Sequence, residues 1–346
     1  MIQQRRIGEI DGVDVFGFRL SGGDTDVELM TFGATLTRLT RPDRFGRVAN
    51  IVLGYEDLAT YATAPGNAGA ICGRHANRLA EGRFVLDGQA YQLTRNSGRH
   101  HIHGGLPHFG KCHWSAEADE TDNSVMFRLV SHDGDQGYPG TLDTRVIYRV
   151  DDEGTLQIQM RATSNRPTIV NLVHHGYWNL AGQGTGTVGD HLLQIAAAHF
   201  TPTDSEKLPT GRIAPVHGTA FDFTEAKAIG VGISAMAVEA AYDNNFCIDG
   251  HDGVLRRVCS LLDPISGRTL LLRSNQPGLQ LYTLNYPAAT SLEGKAGASC
   301  LGHSGVALET QNFPNAPNIP GFPSSELRSG KIYRHDMEIS FGNAEP

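Results

Sequence analysis

Cysteine is scarce in this chain: five residues in 346 (Cys72, Cys112, Cys247, Cys259 and Cys300), scattered and without a C-x-x-C pair. That argues against a disulfide framework or a structural zinc site and fits a reducing compartment. A surplus of positive charge is also missing. Lys plus Arg number 29 against 37 Asp plus Glu, a net charge of -8 with neutral histidines, so neither nucleic acid nor an anionic membrane surface is an expected partner. No apolar run is long enough to cross a bilayer, and Met1-Ile2-Gln3-Gln4-Arg5-Arg6 lacks the hydrophobic stretch of a secretory signal. The expectation is a soluble, cytoplasmic protein. A phosphate loop, a dinucleotide fingerprint, a nucleophile elbow and a repeat of fixed period are absent too.

Helical periodicity is nearly absent as well; the one segment that shows it, Ile233–Ala241, is short. Period-2 alternation is abundant instead. Leu156, Ile158 and Met160 alternate with Gln157, Gln159 and Arg161, and Met337, Ile339 and Phe341 alternate with Glu338 and Ser340. Such strands keep one face in a core and one in water. Glycine supplies 41 residues, above the usual ~7%, and turn signals recur between strands. Asp87-Gly88 marks a hairpin, and Asp151-Asp152-Glu153-Gly154 and Ser266-Gly267 mark further reversals. The fold class expected is all-β, a large antiparallel β-sandwich forming one domain over residues 1–346.

Several polar residues interrupt these strands. Glu309 ends the apolar run Gly305–Leu308 and is followed at once by Thr310-Gln311-Asn312-Phe313-Pro314. Most glutamates so placed are ion-paired or rim-exposed. The alternative is a general base, because an ordinary glutamate with pKa around 4.3 is ionised at neutral pH. His174-His175 lie in Asn171–Leu180, a strand-like run; strand neighbours point to opposite faces, so one of the pair at most faces a given pocket. Such a histidine is commonly a satisfied core residue, yet imidazole is also the side chain best suited to exchange a proton near neutrality. Tyr177 shares a face with His175, and an aromatic ring beside an acid suits a pyranose, whose C–H face packs on rings while its hydroxyls need directed partners. His101 and His103 invite a metal reading as i, i+2 ligands, but Pro107 and His108 stand where the cupin pattern needs a glutamate, so no metal site is assigned. Arg78, after Asn77, is surface charge or a forked donor for hydroxyls. Asp243 caps a turn or accepts from a diol, and Gln280, inside the apolar strand Gly278–Tyr282, needs a polar partner.

Taken in order, the segments around Asn77-Arg78, His103-Gly104-Gly105, Asp133–Gly140, Asn171–Leu180, Phe200-Thr201-Pro202, Leu208–Val216, Asp243, Gln280 and Glu309-Thr310-Gln311 resemble the aldose 1-epimerase (galactose mutarotase) family over nearly the whole chain. The resemblance implies a β-supersandwich that interconverts the α and β anomers of free aldoses such as glucose and galactose, without a cofactor. Carried over by position, Glu309 is the general base and His175 the general acid. Asn77, Arg78, His103, Tyr177, Asp243 and Gln280 grip the sugar. The partner implied is then a small-molecule sugar, bound by a monomer or homodimer. A relative acting on hexose 6-phosphates and a non-catalytic sugar-binding module are the alternatives. Asn244, His174 and Trp178 depart from common family residues and are expected to border the site and touch on substrate preference.

Overall fold

The structure, a computed structural model, describes residues 2–235, 241–250, 252–285 and 302–345. Two large antiparallel sheets face each other. The larger has nine strands in the order Ser115–Asp119, Ser124–Ser131, Leu142–Val150, Leu156–Ser164, Tyr333–Asn343, Arg268–Ser274, Arg256–Leu262, Leu192–Ile195 and Lys227–Ala228. The smaller has six, in the order Tyr177–Trp178, Val306–Gln311, Gly278–Tyr282, Asp243–Cys247, His199–Thr201 and Ala214–Pro215. A third sheet of five strands is formed by the N-terminal residues, running from Gln3–Ile10 to Val48–Asn50.

Alternation in the sequence explains how the layers meet. Leu156, Ile158 and Met160 of the nine-stranded sheet are buried with Met337 and Ile339. They share one apolar cluster with Leu279, Leu281, Val306 and Leu308 of the six-stranded sheet and with Leu20 and Val27 of the N-terminal sheet. Burying each such side chain contributes roughly 1.5–3 kcal/mol, so this interface sets how the sheets stack. The all-β expectation is met. The Asp87-Gly88 reversal joins Arg83–Leu86 to Gln89–Gln92, with φ of 52° and 76° at the two turn residues, the left-handed backbone that Asp-Gly tolerates.

Among the described residues helix is confined to short pieces. Ile229–Ala235 begins four residues before the segment expected from periodicity, whose positions 236–240 lie outside the described residues. A second helix, Leu58–Thr63, was not expected; Asp57 caps it by accepting from the Thr60 N–H. At six residues it is too short to show a 3.6-residue period. No helix among the described residues is long and apolar enough to cross a membrane. Cys72, Cys112, Cys247 and Cys259 are free thiols, and Cys300 lies outside the described residues.

Candidate active site

The register of the six-stranded sheet assembles the site. Residues directly opposed across antiparallel strands share a face. Asn245 lies opposite Gln280, and Gln280 opposite Glu309, forming one row. Asp243, Tyr282, Ala307 and Tyr177 form the next row, and Cys247, Gly278 and Gln311 the third. The other face of the same strands carries Phe246, Leu279, Leu281 and Leu308 into the core. One sheet thus presents apolar side chains inward and carboxylates, amides and tyrosines outward.

Two neighbouring segments complete the outward face. His175 is fixed by backbone bonds on both sides: its N–H donates to the Ala70 carbonyl and its carbonyl accepts from the Gly69 N–H, each at 2.9 Å. The short ladder between Arg78–Leu79 and His101–Ile102 delivers the cation. The polar run after Glu309 explains itself here, because Asn315 clamps that ladder: its N–H donates to the Arg78 carbonyl at 2.9 Å, and its Oδ1 accepts from the Ala80 N–H at 3.0 Å. The break that follows Glu309 in the sequence is what holds Arg78 in place.

His175 Nε2 lies 3.5 Å from Glu309 Oε1, both side chains being almost wholly buried. Their remaining polar atoms, His175 Nδ1 and Glu309 Oε2, have no hydrogen-bond partner among the described residues. Burial raises the Glu309 carboxyl to about 8, with Asp243 adding to the rise and Arg78 opposing it. Burial lowers His175 to about 4. Desolvation is the common cause, since a water-poor site penalises the charged form of acid and base alike.

The other expected residues gather around this pair. The His103 and His175 rings stand 5.3 Å apart, edge to face, and Tyr177 is 4.9 Å from His175. His103 Nδ1 accepts from the Asn77 N–H at 3.3 Å; a backbone amide only donates, so the ring proton sits on Nε2. Arg78 Nη1 is 3.6 Å from Asp243 Oδ2, and Gln280 Nε2 donates to Asp243 Oδ1 at 2.7 Å. All eight residues expected at the site therefore belong to one constellation.

Three expectations change. Asn244 lies opposite Leu281, on the core face rather than beside the site. Trp178 packs against Phe341 of the opposite sheet at 5.9 Å. His174 faces Tyr148 at 6.1 Å. The departures that were to border the site thus point away from it, for the plain reason that strand neighbours alternate. His101, paired with His103 in the metal reading, does not share its face. Its nitrogens reach the Thr94 carbonyl at 2.6 Å and the Tyr138 hydroxyl at 2.7 Å. No cluster of three or more His, Cys, Asp or Glu side chains among the described residues could hold a metal ion.

Other residues were missed. Gln311 and Asn245 sit two positions beyond Glu309 and Asp243, on the same face, and period 2 would have found both. His108 is buried, with Nδ1 accepting from the Gly110 N–H at 3.1 Å. It is lowered to about 4 by burial, Lys111 and His175. Only tertiary contact brings it near His175.

The chain is similar to known proteins over nearly its whole length. The profile of the aldose 1-epimerase family matches residues 18–340. Galactose mutarotase of Sus scrofa is 41% identical over 94% of each chain. Aldose 1-epimerase of Escherichia coli K12 is 33% identical over 91% of each. Among solved structures, an aldose epimerase homologue from C. elegans superposes with a TM-score of 0.87 at 30% identity, covering 94% of this chain and 98% of its own. A galactose 1-epimerase from Lactobacillus acidophilus NCFM gives 0.87 at 26% identity, over 100% and 99%. The chain belongs to the aldose 1-epimerase family. It is an isomerase of the mutarotase type.

Proposed function

We propose that this chain interconverts the anomers of free aldoses such as galactose and glucose, with Glu309 and His175 exchanging the two protons of ring opening. The observation that carries the reading is the buried 3.5 Å pair, whose Glu309 Oε2 has no hydrogen-bond partner among the described residues. Glu309 takes the proton of the C1 hydroxyl while His175 gives one to the ring oxygen. The C1–O5 bond breaks, leaving the C1 aldehyde and a C5 hydroxyl. Rotation about C1–C2 presents the other face of the carbonyl; closure reverses both transfers. No proton is gained or lost over the cycle.

Burial has a direct use in that scheme. Before opening, the pair holds one proton as carboxylate and imidazolium; afterwards it holds one as carboxylic acid and neutral imidazole. A desolvated site favours the second, neutral form, so the environment that shifts both groups also favours ring opening. The mutual attraction of the two charges supports the first form, which keeps the cycle reversible. Arg78, Asp243, Gln280, Asn77 and His103 hold the sugar's other hydroxyls, and Tyr177 packs on its apolar face. They position C1 without exchanging protons.

The test is polarimetry on freshly dissolved α-D-galactose and α-D-glucose. Acceleration above the spontaneous rate supports the reading; the spontaneous rate across several aldoses sinks it. The pH profile adds a check on the pair. One shared proton is required, so kcat/KM should be bell-shaped. It should fall below about 4, where the pair takes up a second proton, and above about 8, where it loses the last one.

A further inference from the structure

Among the described residues Gln311 makes no hydrogen bond to either member of the proton-transferring pair, yet it is fully buried on the polar face. Its Nε2 lies 3.2 Å from Gln280 Oε1 and 3.1 Å from Asn245 Oδ1, and its Oε1 lies 3.5 Å from Asn77 Nδ2. The direction of this chain of amides follows from its far end. A carboxylate only accepts, so Gln280 must present Nε2 to Asp243 and turn its Oε1 away. The group facing that oxygen must then donate, which fixes Gln311 with its NH2 toward Gln280 and Asn245 and its oxygen toward Asn77. The Asn77 NH2 donates in turn. Asn77 precedes Arg78, and Arg78 pairs with Asp243, so the chain closes on itself.

The sheet is built to allow this. Gln311 stands opposite Gly278, and a Cβ at Gly278 would fall 2.4 Å from Asn245 Oδ1. Only glycine leaves space for Asn245 and Gln311 to meet across that strand. We propose that Gln311 is a positioning residue for sugar binding. It sets the amide orientation of Gln280 and Asn77, and through Gln280 holds the Asp243 carboxylate that faces Arg78. The proposal rests on the anomerase reading above and adds to it the residue that orders the sugar grip.

The experiment is steady-state mutarotation of α-D-galactose by wild type, Gln311→Met and Gln311→Glu between pH 5 and 9, with thermal melting alongside. Wild type lacking any acceleration would defeat the anomerase reading itself; the comparison among variants addresses Gln311. Gln311→Met fills similar space but neither donates nor accepts in the same way, and KM should rise about tenfold, the loss of about one hydrogen bond, with kcat within about threefold. Gln311→Glu separates orientation from packing. Ionised, it cannot donate to Gln280 or Asn245, and KM rises as in the Met variant; protonated at lower pH, it regains one donor and KM falls back toward wild type. A purely structural role predicts no such pH-dependent KM. Wild-type KM in both variants, or kcat falling with melting temperature while KM stays put, overturns the proposal. If neither variant folds, Gln311→Asn, which keeps the amide but draws it back from Gln280 and Asn77 by one methylene, reads the same role. KM near wild type in that variant overturns the proposal equally.

Discussion

At Glu309 two demands meet. A base must be ionised to accept the anomeric proton, whereas its surroundings hold the carboxyl at about 8. With the values the two groups hold, the one proton the pair shares rests mostly on Glu309, and ring opening draws on the less populated form with that proton on His175. Glu309→Gln keeps the shape and removes the acceptor, so kcat should fall by roughly 10²–10⁴-fold while galactose still binds; polarimetry with equilibrium binding checks both. Turnover within a few-fold of wild type would remove Glu309 from its role. Glu309 was legible as an exception in an apolar run, and the role proposed for it came from the resemblance. Its raised pKa was not legible, since desolvation comes from residues distant in sequence.

Individual strands explain the sequence departures. His174 turns inward, and its ring occupies the space a side chain at residue 176 would need: a Cβ on Gly176 would lie 2.6 Å from His174 Cε1. The imidazole at 174 and the absence of a side chain at 176 are one packing solution. Gly176→Ala alone should therefore destabilise by about 1–3 kcal/mol. His174→Asn should relieve most of that cost in the double variant. Chemical denaturation of the four proteins, read as a double-mutant cycle, measures the coupling; additive effects would show that the two positions do not share space. The sequence marked His174 as a departure from common family residues and said nothing of Gly176. It did not show that they compensate each other, because that requires knowing which way the ring turns.

For the whole molecule, buried histidines set the response to acid. His75, His174 and His335 are each lowered to about 3, with burial the largest cause, against about 6.5 in the unfolded chain. Between those values the unfolded chain binds more protons, so stability falls as pH drops from about 6.5 towards 3. The site histidines act in the same sense. Glu309 acts in the opposite one, since its raised value favours the fold at low pH and that contribution is lost towards about 8. Histidines outnumber it, and the melting temperature should decline steadily from pH 7 to 4. His174→Asn should make that decline shallower; a melting temperature independent of pH over this range would contradict the account.

The sequence by itself determined the all-β class, the sites of its reversals, and the eight residues that form the constellation. Alternation, turn chemistry and a nearly chain-long resemblance are local or additive signals that survive without coordinates. Tertiary structure alone decided what lies opposite what. Register placed Asn245, Gln280 and Glu309 in one row and turned Asn244, His174 and Trp178 away from it. It also brought Gln311 between Gln280 and Asn77. A one-residue slip in pairing would exchange the faces, and pairing is set by how two sheets bury their apolar sides together.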